Sequence, residues 1–350
     1  MTQSVAVALK RRFCPNYRYI GLLGGIFLIV PGMDVYRRSS LLLIKLARRT
    51  FANTPVERLP VAGWLYRKTV SLAFGRHEVT ADFRGVRLTV PGGDHVLTAG
   101  LFGGFYEAIE LNLLELLAAR SRTVLDVGAN IGIYACVAAA RLPADGCLIA
   151  FEPVPANVKY LRRNLAQNGL AQRVRVESVA VGEVPGEAVI HLVEASINHS
   201  LASGVAVNSR ASLRVQVTSL DDFLAGAGLD SPVDLLKVDV EGYDGYVLRG
   251  AAGLLREHRP TLLVEFAPSN LTNAGFAAGE FLDTIFGVYT HVYVIDEPSG
   301  RLDRCGRDDL DRCAAKAVNL NMVAASRPQH VEIIERYRAS PSHVRAFVRT

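Results

Sequence analysis

From residue 123 onward, short apolar runs alternate with segments whose apolar residues recur at three- and four-residue intervals. Thr123–Val127, Cys147–Phe151, Val174–Ser178, Val233–Asp239 and Thr261–Phe266 are expected to be strands, and the segments through Arg141, Pro155–Asn168 and around Tyr243–His258 carry helical spacing. Such alternation predicts an α/β fold with a mostly parallel, doubly wound sheet, whose ligand crevice lies beyond the carboxyl ends of the strands. Ala188–Val193 and Leu213–Val217 are two further expected strands around a polar loop; Phe276–Phe286 reads as a helix, and His291–Ile295 and Val318–Ala324 complete the sheet. Upstream, Glu78–Pro91 alternates around Arg84-Gly85 as a hairpin would, and Phe105–Arg120 has the leucine spacing of an amphipathic helix. The domain is expected over 76–327, with 328–350 a short helical tail.

The first seventy-five residues follow a different pattern. Tyr19–Met33 is an apolar run of fifteen residues broken by Gly21, Gly24, Gly25 and Pro31, shorter than the roughly twenty residues a membrane span needs. Val30-Pro31-Gly32-Met33 is a poor cleavage site for a signal peptide. Ser40–Thr50 has the form of a short amphipathic helix with a cationic end. Charge sharpens the contrast: residues 1–75 hold twelve Lys and Arg against Asp34 and Glu57, a net +10 within a whole-chain +5, which leaves −5 for the rest. A basic helical arm on a mildly acidic body suits peripheral contact with an anionic membrane, or packing on the body or on a second copy in a homo-oligomer. Both remain open.

With half the residues hydrophobic and 21% charged, a large core is expected and wholesale disorder is excluded. The five cysteines, Cys14, Cys136, Cys147, Cys305 and Cys313, form no C-x-x-C pair, so neither a disulfide scaffold nor a structural zinc site is expected. That usage fits a reducing, cytoplasmic setting, with Cys136 and Cys147 as small buried apolar residues.

The strongest local chemical signal is Asp126-Val127-Gly128-Ala129-Asn130-Ile131-Gly132, a turn between a strand and a helix. Gly128 and Gly132 permit a tight turn and close backbone approach, but the G-x-N-x-G spacing departs from the G-x-G-x-x-G of a pyrophosphate-binding turn. An acid at the strand end would repel a pyrophosphate and suits an ammonium group, held directly or through water. Glu152 ends the next strand, where a carboxylate can accept hydrogen bonds from two ribose hydroxyls. A cationic amino acid joined to an unphosphorylated nucleoside meets both demands, and S-adenosylmethionine is such a molecule. A third signal is Lys237-Val238-Asp239-Val240-Glu241, where charged and apolar residues alternate in an expected central strand. Buried charge there is costly unless paired or functional, and for Lys237 pairing with Asp239 and catalysis are equally good explanations.

DVGANIGIY (126–134), FEP (151–153) and LKVDVEGYDGYVLRGA (236–251) together resemble the FkbM-type family of S-adenosylmethionine-dependent methyltransferases. FYEAIELNLLELL (105–117), SLDDF (219–223), RPTLLVE (259–265) and NLNMVA (319–324) extend the resemblance over about 76–326. It implies a Rossmann-like class I methyltransferase fold with a mostly parallel seven-stranded sheet, and methylation of a hydroxyl on a small molecule or saccharide. Donor binding is expected from Asp126, Gly128, Asn130, Gly132, Glu152 and Pro153, with Tyr106 and Glu107 closing over the methionine end as the resemblance implies. Asp239, Glu241, Lys237 and His199 are the catalytic candidates, His199 lying in the polar loop. Glu265 at the end of the following strand could join Asp239 and Glu241 around a divalent ion, but no further ligand pattern accompanies it and no metal is expected. A non-catalytic adaptor docking through the basic arm is the alternative; nucleic acid is not an expected partner, because no Asn/Asp-Pro-Pro-aromatic stretch follows the charged strand.

Overall fold

The computed structural model describes residues 78–91, 97, 101, 106–193, 209–229, 231–297 and 299–339. The basic arm and His199 therefore lie outside the described residues.

The chain enters through the hairpin β1 (Val79–Phe83) and β2 (Val86–Val90), turned by Arg84 and Gly85, both at positive φ as a tight hairpin turn requires. It continues through α1 (Ala108–Ala118), β3 (Thr123–Val127), α2 (Ile133–Ala139), β4 (Cys147–Phe151), α3 (Pro155–Gln167) and β5 (Val174–Glu177). A small three-stranded sheet follows, from β6 (Ala180–Val181), β7 (Gly186–Val193) and β8 (Ser209–Thr218), in the order β6-β8-β7. After α4 (Leu220–Ala227) come β9 (Leu235–Val238), α5 (Asp244–Arg249), α6 (Ala252–Glu257), β10 (Thr261–Phe266), α7 (Pro268–Asn273) and α8 (Ala278–Val288). The chain closes with β11 (His291–Asp296), β12 (Arg301–Arg304), α9 (Arg307–Ala315), β13 (Leu320–Ala325) and α10 (Pro328–Ala339).

The main sheet has the order β12-β11-β13-β10-β9-β3-β4-β5. The five strands from β10 to β5 are parallel, and β13, β11 and β12 add antiparallel pairings at the other side. The Rossmann-like α/β architecture is as expected, but the sheet has eight strands rather than seven. The eighth, β12, reads RLDR and buries only Leu302; an edge strand held by backbone pairing to β11 needs no apolar alternation, so the residue pattern is silent there. The strands expected at 188–193 and 213–217 are present, but they pair with each other outside the main sheet.

Central strands β3 and β9 are buried along their whole length, covered by helices on both faces. The chain winds from β3 to β4 and β5 on one side and from β9 to β10 on the other, so the sheet reverses direction between β3 and β9. Crevices form at such a switch point. Local signals fix the surrounding helices. Ser219 caps α4 by accepting the Asp222 N–H at 3.0 Å, and Asp221 accepts the Gly253 and Leu254 N–H groups at 2.7 and 2.8 Å at the start of α6. These caps give the SLDDF segment its structural role.

The hairpin is held by Asn164 of α3, fully buried, which accepts the Thr89 N–H at 2.7 Å and donates to the carbonyls of Thr89 and Ile131 at 3.1 and 2.8 Å. The final helix α10 packs on the body: His330 bonds Thr261 at 2.8 Å, and Asn112 of α1 donates to Tyr337 at 3.1 Å. Cys136 is buried as expected. Cys147, the first residue of β4, is exposed, whereas the rest of that strand is buried. Among the described residues no helix is long and apolar enough to cross a membrane.

Candidate active site

A cavity of about 470 Å³ opens where β3, β4, β9 and β10 end, lined there by Val127, Phe151, Val238 and Glu265. This is the size of a small-molecule site.

Its first wall is the turn after β3. Gly128 stands at φ 83, and the N–H groups of Gly128 and Ala129 donate to the Phe151 carbonyl at 3.0 and 2.9 Å. A Cβ on Gly128 would lie 2.0 Å from the Asp239 carbonyl oxygen, so this glycine admits the neighbouring chain as well as opening the cavity wall. Gly132, at φ 88, starts α2, and a side chain there would strike Leu161 at 2.4 Å. Gly132 thus serves helix packing and does not line the cavity, whereas Gly128, Asn130, Glu152 and Pro153 do.

Glu152 is positioned by its own neighbourhood. Its carboxylate accepts the Asn130 N–H at 2.9 Å, the Val154 N–H at 2.8 Å and the Asn157 amide at 3.3 Å. Burial nevertheless raises its pKa to about 7.

The second wall is charged. Lys237 pairs in register with Asp126 of β3. Its ammonium lies 3.2 Å from Asp239, 3.9 Å from Asp126 and 4.3 Å from the centre of the Tyr134 ring. The surrounding acids, Asp239 and Asp126 foremost, outweigh burial and raise its pKa, so Lys237 stays cationic. Asp126 is 2% exposed and lies beneath the cavity floor rather than on it; burial raises it to about 6. The strand ends at Val238, so Asp239 and Glu241 project from the following loop and do not continue the two-residue alternation of the strand. Asp244 holds that loop by accepting the Val240 and Gly242 N–H groups at 3.2 and 3.0 Å. Glu241 sits there at φ 53, a conformation unusual for a side-chain-bearing residue and concentrated at functional sites. Burial, then the nearby Asp239, raises Glu241 to about 7; the same two causes raise Glu265 to about 8.

The roof is the start of α1. Tyr106 and Glu107 both line the cavity, and Glu107 accepts the Tyr134 hydroxyl at 2.6 Å. Glu110, one helical turn on, accepts the Asn321 amide at 2.8 Å, and burial pushes its pKa well up. Six acids therefore line the cavity, Glu107, Glu110, Glu152, Asp239, Glu241 and Glu265, against Lys237 as the one cation among the described lining residues. Residue patterns had not marked Glu110, Asp244, Asn270 or Asn321. The i, i+3 spacing of Glu107 and Glu110 at the start of an apolar helix, and the polar Asn319 and Asn321 flanking Leu320 at a strand start, were the available signals. Among the described residues no group of three His, Cys, Asp or Glu side chains is arranged to hold a metal ion.

Residues 126–293 match the family model of the methyltransferase FkbM domain. Over that span the chain is similar to FkbM methyltransferase domains. The family is one of S-adenosylmethionine-dependent methyltransferases, and the matched span starts at the Asp126 turn and includes Glu152 and the Lys237–Gly242 segment. A curated relative, methyltransferase 1 of Beauveria bassiana (strain ARSEF 2860), is 27% identical over 146 residues, which cover 36% of this chain and 57% of the relative. This chain thus matches little more than half of that protein's length. Among solved structures, the FkbM methyltransferase of Methylobacillus flagellatus KT is 14% identical, covering 77% of this chain and 61% of its own, with a TM-score of 0.36. An O-methyltransferase of Bacillus cereus in complex with SAH is 11% identical, covering 83% of this chain and 100% of its own, with a TM-score of 0.37.

Proposed function

We propose that the FkbM domain transfers a methyl group from S-adenosylmethionine to a hydroxyl on a small molecule or saccharide. One observation carries the reading: Glu152, a carboxylate braced by two backbone N–H groups at a strand end, faces a cavity whose other described Asp, Glu, Lys and Arg side chains are five acids and one paired lysine. Ribose hydroxyls suit the first, and a ligand with a sulfonium and an ammonium suits the second. When bound, the donor supplies an electrophilic methyl carbon. Glu152, with Asn130 and Pro153 beside it, is assigned to the nucleoside, and Tyr106 and Glu107 to the methionine end. Gly128, Gly132 and Asp126 support that side by shaping the turn and holding Lys237.

The acceptor belongs on the side of Asp239, Glu241, Glu265 and Asn270. Alignment of the reacting atoms supplies about 7–11 kcal/mol of the barrier reduction, and a general base adds about 10²–10⁴-fold. Glu241 is the base in this reading, since a carboxyl held near 7 is ionised in good part at neutral pH and still takes up a proton readily. Asp239, bonded to Lys237, orients the loop, and Lys237 compensates charge rather than accepting a proton. His199 stays a candidate on the acceptor side. The intact charged loop disfavours the adaptor alternative, which has no need of it.

The test is calorimetric titration with S-adenosylmethionine, followed by detection of S-adenosylhomocysteine in the presence of polyhydroxylated acceptors. Micromolar donor binding and acceptor-dependent turnover are expected. A protein that ignores the donor and binds a nicotinamide dinucleotide overturns the proposal.

A further inference from the structure

The start of α1 is capped in an unusual way. A helix leaves its first N–H groups without partners, and the N-cap side chain ordinarily accepts one of them. Glu107 occupies the N-cap position, in the left-handed region at φ 38, and makes no such bond. Its carboxylate is turned to the Tyr134 hydroxyl. Glu297 takes over from far along the chain: its Oε1 accepts the Ile109 and Glu110 N–H groups, both at 2.9 Å, and its Oε2 also lies 3.1 Å from the Ile109 N–H. Glu297 directly follows β11, in the connection to β12, and is not among the cavity-lining residues.

We infer that Glu297 is a positioning residue for the donor site: by capping α1 it frees Glu107 to hold Tyr134 and face the cavity. The two carboxylates divide a task that one cannot perform in both directions. If Glu297 is lost, Glu107, as the N-cap residue, is placed to serve the bare N–H groups instead, and each turn it makes toward the helix breaks its bond to Tyr134. Tyr134 in turn lies over the Lys237 ammonium, so the disturbance reaches the charged wall as well. The capping is seen directly; its effect on ligand binding rests on the donor reading above.

The full-length protein tests this with Glu297→Ala, Glu297→Gln, Glu107→Gln and the Glu107→Gln/Glu297→Ala double variant. Asp221→Ala is the matched control, because Asp221 caps α6 through two N–H bonds of the same kind but does not line the cavity. Expected is an S-adenosylmethionine Kd raised about tenfold in Glu297→Ala, and largely restored in Glu297→Gln, whose amide oxygen still accepts. The double variant should bind no more weakly than Glu107→Gln alone, because both lesions remove one function. Asp221→Ala should lose thermal stability and keep the wild-type Kd. A Glu297→Ala protein with wild-type Kd, or an Asp221→Ala protein weakened equally, overturns the inference. A crystal structure of Glu297→Ala separates this from the donor reading: Glu107 should leave Tyr134 for the helix N–H groups. An undisturbed Glu107–Tyr134 bond overturns the inference, whereas a wild-type protein that binds no donor overturns only the assignment of the ligand.

Discussion

The two sides of the cavity are built differently. On the side of β3 and β4, Glu152 is held by the backbone N–H groups of Asn130 and Val154. On the side of β9, β10 and β13, the wall is made of side chains from separate segments: Glu241 from the loop after β9, Glu265 from β10, Asn270 from α7 and Asn321 from β13. Backbone donors give the first side one fixed shape suited to an invariant ligand. The second side crowds Asp239, Glu241 and Glu265, whose repulsion is relieved only by protonation, by Lys237 or by what binds there. Under the proposed function the first side takes the donor and the second the acceptor.

The sharpest way to break the comparison is at Glu241. Glu241→Gln should lower kcat by about two to four orders of magnitude, because the proposed base is lost. Donor affinity measured by calorimetry should stay within about twofold, since Glu241 is assigned to the acceptor side. In the wild type, kcat should rise with pH through about 7 as Glu241 ionises, and the variant should lose that limb. Equal losses in donor affinity and kcat would show that the two sides are not separate.

Gly128→Ala attacks the point where the sides touch. A methyl group 2.0 Å from the Asp239 carbonyl oxygen, at a φ of 83, must push the turn and the loop apart. A loss of about 3 kcal/mol in denaturant unfolding is expected, with donor binding and turnover falling together.

Glu152→Ala should weaken donor binding by about 30- to 100-fold, the value of charge-assisted bonds to hydroxyls, while leaving the pH limb assigned to Glu241 in place. Glu152→Gln, which keeps an acceptor oxygen, should lose less.

A last test concerns stability against pH. Asp126 and Asp244 are raised to about 6, Glu152 and Glu241 to about 7 and Glu265 to about 8. A carboxyl whose folded pKa exceeds its unfolded value binds more protons when folded, so it stabilises at low pH and that contribution fades as pH rises toward the folded pKa. The ligand-free protein should therefore lose stability between pH ~5 and ~8, read as a falling unfolding midpoint. Glu241→Gln should flatten that slope. A midpoint that climbs across this range would mean that the acids are not crowded as described.

How much the sequence revealed follows the same division. The Asp126–Gly132 turn and Glu152 were legible because a strand, its turn and the following residues are contiguous, and geometry imposed on neighbours leaves a local mark. The Lys237-Asp239-Glu241 alternation was legible as an anomaly, but its explanation was not: the strand stops at Val238, and the loop is set by Asp244. Asn164 reads as an ordinary polar residue in a helix until β2 is seen to lean on it. Glu297 carries no signal at all, because its partners lie 187 and 188 residues away. Cys147 is a related case, since an apolar neighbourhood in the chain does not tell how much of a strand's first residue the fold covers.

The residues alone determined an α/β domain with a crevice at its strand ends, and the glycine turn and strand-end carboxylate of the proposed donor wall, because periodicity and turn geometry act over a few residues. Only the tertiary structure decided the eighth strand, the cap on α1, the exposure of Cys147, and the protonation behaviour of the acids. Those depend on which distant groups come within a few ångströms of one another and how much water remains between them, and neither quantity exists until the sheet has closed.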